Sequence, residues 1–303
     1  MNAESTPPPV TRRLAAFSTG DRAGRAPPTT GRLRVAGVLE CAVIGSASEP
    51  VELALRVLRD LDRPHQAGVL GRNERLDAIS AALINGIAAH AGGSGEGPEA
   101  SVVVAALAAA ELSDASVEQL SEAVMIGIEV TCRVARGFFP DAVDRGWHTG
   151  LLDAIGCAAA ASRLLRLNEN QAVSALSAAA TQAAGLQVAS GTMTRSFDVG
   201  KAAANGVEAA MLAARGFAGP EAGIEGKRGL SLVIAARPRF DGMVDGLGET
   251  WALESIAGLS QPADIPFWMT KAERVRDLIA MTAREGAGRV VSVSSQKGRL
   301  PPQ

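Results

Sequence analysis

The amino-acid sequence predicts an all-α helical bundle, and three observations carry that expectation. From Leu33 to about Gly229 the chain is a succession of Ala-, Leu- and Val-rich segments with helical spacing. Alternating runs of β-branched residues, the mark of half-buried strands, are almost absent. The segments are also apolar nearly all round, which suits the middle of a bundle where small side chains let neighbouring backbones approach closely. At 303 residues, 47% hydrophobic and 20% charged, the chain can bury a sizeable core.

Residues 1–32 are rich in Pro, Thr, Arg and Gly and show no sustained period, so a flexible N-terminal arm is expected there. Helices are expected at 33–45 and 50–61, the second with a broad apolar stripe of Val51, Leu53, Leu55, Val57 and Leu58. A third, 75–91, ends in the glycine-rich stretch Gly92 to Pro98, which must be a loop. Helix resumes at 100–112, and Ser116 with Gln119 makes a capping-box start for 117–136. Segments 151–166 and 169–184 follow, the latter with Asn168 as N-cap and Gly185 past its end, and a helix at 199–215 stops at Gly216. After Gly229 the pattern loosens to a helix near 249–257, another at 270–284 and one strand-like segment, Arg289 to Val293. The expected division is therefore an arm over 1–32, a helical domain over 33–260 and a truncated C-terminal appendage over 261–303.

Composition narrows function. Thirty Lys+Arg against 32 Asp+Glu leave a formal charge of -2, without the basic field that sequence-independent nucleic-acid binding needs. Lysine occurs only at 201, 227, 271 and 297, tyrosine is missing, and there are three histidines, so acid/base groups are few. Cys41, Cys132 and Cys157 lie far apart in apolar stretches and read as reduced, buried hydrophobes. No apolar run reaches the roughly 18 residues of a membrane span, and a soluble cytoplasmic protein is expected. The GGSGEG stretch lacks the strand and the Lys-Ser/Thr of a phosphate loop, no Cys or His pair has zinc-ligand spacing, and no nucleophile elbow occurs. No metal and no organic cofactor are expected.

Two loops carry more. Arg145-Gly146-Trp147-His148-Thr149-Gly150 leads into the helix at 151, which sets His148 and Thr149 beside free N–H groups and the positive end of a dipole. Ser190 to Ser196 does the same ahead of the helix at 199, adding the hydroxyls of Thr192 and Thr194 and the Arg195 guanidinium, which can grip a carboxylate with two hydrogen bonds. If the loops converge, they form a pocket for a small acid with one histidine able to move protons. Spacing alone equally allows a capped-loop histidine and plain N-cap hydroxyls.

The same residues resemble the MmgE/PrpD family. The motif order is RGWHTG at 145–150, SGTMTRS at 190–196, GKAAANG at 200–206 and GFAGPEAGIEG at 216–226, and the similarity runs back through ALINGIAAHA and forward to LGETWAL, over roughly 33–257. The resemblance implies a mostly helical, dimerising domain and a cofactor-free active site between it and a smaller α/β domain. It also implies chemistry of the kind performed by 2-methylcitrate dehydratase, cis-aconitate decarboxylase and iminodisuccinate epimerase. Several positions depart from the family pattern. The Asp-rich motif after the histidine matching His90 is here Ala91-Gly92-Gly93-Ser94-Gly95-Glu96, and the following His-Pro-Ser is Gly97-Pro98-Glu99. The family lysine of TMTKP falls on Arg195 and the histidine shortly after it on Asp198; beyond Trp251 the tyrosine- and cysteine-bearing segment is absent. Residues 270–293 resemble only the first helix and strand of the α/β domain.

The expected site has His148 and Asp198 as catalytic groups, with Arg195, Thr149, Thr192, Thr194, His90 and Lys201 binding substrate. Arginine keeps the charge of the lost lysine but cannot exchange a proton, so a repurposed lyase or isomerase is expected on a small polar or carboxylate-bearing metabolite of a specialised biosynthetic pathway, by cyclisation, isomerisation or elimination. The alternative is a non-catalytic binding or partner subunit of the same descent.

Overall fold

Three helices begin where the sequence supplies a side-chain partner for their first N–H groups. Ser116 with Gln119 and Asn168 with Gln171 form reciprocal capping boxes, and the Asp77 carboxylate accepts from Ser80 N. In the computed structural model, residues 9–20, 28–61, 63–252 and 274–284 are described. α1 (Val10–Thr19), α2 (Pro28–Gly45) and α3 (Glu49–Arg59) lead to a short antiparallel ribbon of β1 (Ala67–Gly68) and β2 (Arg75–Leu76). Next come α4 (Ala78–Ala91), α5 (Glu99–Leu112), α6 (Val117–Phe138), α7 (Asp141–Asp144), α8 (Asp153–Leu164), α9 (Glu169–Ala180) and α10 (Met193–Ala214), then the short α11 (Leu230–Ile234) and α12 (Phe240–Val244). Two 3-10 turns, Thr149–Leu152 and Gln187–Ala189, precede α8 and α10. The architecture is all-α, and the ribbon is the only sheet among the described residues.

α8 and α10 occupy the middle: α10 packs on α4, α8 and α9, and α8 also meets α5 and α6. Glycine sets the tightest of these contacts. A Cβ on Gly200 would lie 2.2 Å from the Leu83 carbonyl oxygen, and one on Gly86 would lie 2.5 Å from the Gly200 Cα. The backbones of α4 and α10 therefore touch, running antiparallel, and the side chains one turn away on each helix are forced together. Those side chains are His90 and Ser196. Elsewhere in the bundle the buried Arg133 side chain pairs with Glu129 at 2.7 Å and donates to the carbonyls of Asp245, Gly246 and Thr250, holding that loop against α6.

Three expectations need correction. The stretch 1–32 is not a loose arm throughout: α1 lies on α9 and α8 with Val10, Leu14, Ala15 and Phe17 buried, and α2 begins at Pro28. Thr11 is pinned inside, its N and Oγ1 both donating to Glu225 Oε2 at 3.1 and 2.5 Å. Within 261–303, residues 275–284 are helical and bury Val275, Leu278 and Ile279 in the main core, so that helix is a component of the bundle and not a trailing appendage. Finally, the helix expected at 199 starts at Met193, which places Arg195 in its first turn and not in a loop. The expected strand at 289–293, and most of the helix expected near 249–257, lie outside the described residues.

Candidate active site

The seam between α4 and α10 opens at one end onto the Gly92–Pro98 loop and the turn at His148. His90, on the last turn of α4, has Nδ1 2.9 Å from Ser196 Oγ. Arg195, one residue earlier on α10, is buried, and its Nε and Nη2 donate to Glu96 Oε2 at 3.0 and 2.7 Å. The same oxygen lies 3.4 Å from His148 Nε2, and the other carboxylate oxygen lies 3.6 Å from His90 Nε2. Three cationic or proton-carrying side chains from three elements thus converge on one glutamate carboxylate.

The His148 ring is held from behind. Its backbone N donates to Gly185 O at 2.9 Å, and Nδ1 faces Gly150 N at a long 3.5 Å and the Thr149 hydroxyl at 3.4 Å. With Nδ1 oriented toward donors, Nε2 is the nitrogen presented to the site. Beneath the turn, Asp153 opens α8 and accepts from Ser101 Oγ at 2.9 Å. A Cβ on Gly150 would lie 3.2 Å from Arg195 Nη2 and 3.4 Å from Asp153 Oδ2, so guanidinium and carboxylate flank this glycine and no larger residue fits easily between them.

The profile of the MmgE/PrpD N-terminal domain matches residues 14–242. The chain belongs to the MmgE/PrpD family. Among curated proteins it is similar to the cis-aconitate decarboxylase-like protein oryM of Aspergillus oryzae (strain ATCC 42149 / RIB 40), 32% identical over 198 residues. That match takes in 60% of this chain and 41% of the other, so the chain spans less than half the length of this curated relative. The MmgE/PrpD membership makes it part of a lyase-type family with a helical N-terminal domain. Among the described residues no helix is long and apolar enough to cross a membrane.

Of the site residues expected from sequence, this MmgE/PrpD domain gathers His148, Arg195, His90 and Asp198 at one end of the seam, with Thr149 beside the His148 ring. Thr192 and Thr194 are exposed at the start of α10, Thr192 donating to Ala189 O at 2.7 Å. Lys201 is exposed further along α10, and among the described residues no hydrogen bond or ion pair joins it to the cluster. Asp198 Oδ2 is buried and has no hydrogen-bond partner among the described residues.

Burial raises the Glu96 carboxyl, but the hydrogen bond and charge of Arg195, then the charges of His148 and His90, outweigh it and hold it below the ordinary glutamate value. His148 is held below its usual value by burial and by the Arg195 charge, against Glu96 and Asp198, and is therefore neutral near pH 7. Burial raises Asp198, and it pushes Asp153 up to about 7 despite the Ser101 hydrogen bond and the Arg195 charge. A carboxyl poised near neutrality, a second one raised by burial and a neutral imidazole in one site suit proton transfer.

Sequence reasoning missed Glu96, Ser196, Ser101 and Asp153 as site residues. The signal for Glu96 was its place in the segment that replaces the family's Asp-rich motif; a lone acid among glycines has no pattern of its own. Ser101 and Asp153 meet across 52 positions of chain, and nothing in local spacing pairs them.

Proposed function

We propose that this chain is a cofactor-independent, cytoplasmic enzyme of lyase or isomerase type that moves a proton on a small carboxylate-bearing metabolite. We take its chemistry to have been redirected, within its family, to a cyclisation, isomerisation or elimination in a specialised biosynthetic pathway. One observation carries this reading: a neutral His148 Nε2 and the buried Arg195 guanidinium lie within 3.4 Å of the same carboxylate oxygen. A carboxylate gripped by Arg195 would present its neighbouring carbon to a base or acid on the adjacent side, the geometry needed to remove or deliver a proton next to an anionic group. His148 exchanges the proton at Nε2, Arg195 binds, Asp198 offers a free acceptor, and Thr149 orients the imidazole. The decarboxylase-like name of the Aspergillus relative is in keeping with a carboxylate substrate. A homodimer belongs to the same reading, supported by the exposed Leu53 and Val57, one turn apart on α3.

The test is proton NMR in D2O with a panel of small di- and tricarboxylates, cis-aconitate included. Deuterium incorporation or product formation is expected with the wild type. In His148→Ala it should slow by about 10² or more at an unchanged melting temperature, whereas Arg195→Lys should mainly raise KM by losing the paired donors. Turnover of an identified substrate by His148→Ala at the wild-type rate removes the histidine from the mechanism. Binding of a panel member with neither exchange nor turnover favours a binding subunit.

A further inference from the structure

We propose that Glu96 is a built-in stand-in for a substrate carboxylate: it fills the anion seat made by Arg195, His148 and His90, and a small carboxylate binds by displacing it together with the loop residues between Gly92, packed against α2, and Pro98, which accepts from Val102 N in α5. This rests on the site reading above and adds how that site is occupied and released.

The seat and its occupant differ in mobility. The Arg195 side chain is 4% exposed, whereas the Glu96 side chain that satisfies it is 58% exposed and hangs from a loop. Gly93 and Gly95 take φ of +95° and +81°, a left-handed region that favours glycine, with nothing within 4 Å of where a Cβ would stand. The loop's backbone ties are near its start, Gly93 N to His90 O at 3.0 Å and Ser94 N to Ala89 O at 3.1 Å. Apart from its carboxylate contacts, Glu96 meets, among the described residues, only the Thr149 hydroxyl, which faces its backbone carbonyl oxygen at a long 3.5 Å. Swinging Glu96 out therefore breaks little beyond its own carboxylate contacts.

Exchange is also what the charges demand. A buried guanidinium left without an anion is costly, so a vacant seat is disfavoured. A second carboxylate brought beside Glu96 would meet like charge at close range. Replacing one carboxylate by another meets both conditions and keeps both Arg195 donors engaged. It also sets selectivity: an uncharged ligand cannot expel Glu96, because it does not repay the guanidinium. Affinity for any carboxylate is then reduced by the fraction of molecules in which the seat is free.

Isothermal titration with malonate and with succinate, on the wild type, Glu96→Gln and Glu96→Ala, tests this without any turnover. Both variants should bind at least one of the two dianions about tenfold or more tightly than the wild type, and adding Arg195→Lys to either should abolish the gain. Using two variants guards against one that misfolds, and circular dichroism melts report folding directly. Equal or weaker binding in the folded variants overturns the proposal, as does no binding by them at millimolar dianion. If Glu96→Gln binds like the wild type but loses turnover about 10²-fold, Glu96 is a proton-transfer group; the exchange idea then fails while the enzymatic reading stands. If the variants bind tightly but no carboxylate is ever turned over, the exchange stands and the enzymatic reading fails.

Discussion

Asp153 sits at the first position of α8 with its carboxyl fully enclosed, and its protonation links the site to the stability of the whole fold. Because its value in the folded protein lies near 7, well above that of an unfolded aspartate, the native state binds the proton more tightly between those limits. The stability it contributes is complete in acid and is lost as the pH rises through about 7. The wild type should accordingly lose a few degrees of melting temperature between pH 5.5 and 8 relative to Asp153→Asn, in which that part of the dependence disappears. Parallel melting curves for the two proteins across this range would show that Asp153 is ionised in the native state throughout. Site legibility followed the same division between local and distant. His148 and Arg195 announce themselves through loop chemistry and a motif, whereas Asp153 reads as one acid in an apolar helix until the fold brings Ser101 to it.

The helix seam shows which parts of the fold composition could and could not reveal. Caps are local chemistry, so the starts of α6 and α9 were legible to the residue from Ser116, Gln119 and Asn168. α1 was not, because prolines that punctuate helix starts look like markers of disorder when counted as composition; Pro9 precedes α1 and Pro28 opens α2. The contact of Gly86 with Gly200 was equally hidden, since a glycine inside a helix reads as a weakness until the neighbouring backbone is in view. Gly200→Ala should lower unfolding free energy by about 1–3 kcal/mol, because the new methyl meets the Leu83 carbonyl and the helices must part. Chemical denaturation measures this, and the parting should also slow turnover by separating His90 from Ser196. A variant as stable and active as the wild type would mean the seam opens without cost.

At the scale of the whole molecule, the apolar side chains left on the outside are the open account. Leu53 and Val57 lie one turn apart along one side of α3, Leu61 is exposed just past its end, and Phe217, Leu232 and Val233 are exposed elsewhere. A two-fold contact through the α3 stripe would bury the same residues from both copies. Sedimentation at micromolar concentration should then give twice the 31.0 kDa chain mass, and Val57→Asp should return it to monomer at an unchanged fold. A monomer throughout that range removes the dimer.

The pinning of Thr11 by Glu225 has a consequence in time. The two residues stand 214 positions apart, and Thr11 Oγ1 also receives Ile224 N, so the helix made first is held by a loop made much later. Synthesis runs from the N-terminus, at about 5–20 residues each second, so α1 emerges from the ribosome some tens of seconds before its anchor does. Through that interval Val10, Leu14 and Phe17 have no finished bed to lie in. A nascent chain stalled short of residue 225 should leave them open to chaperones and proteases, and release past that point should close the window.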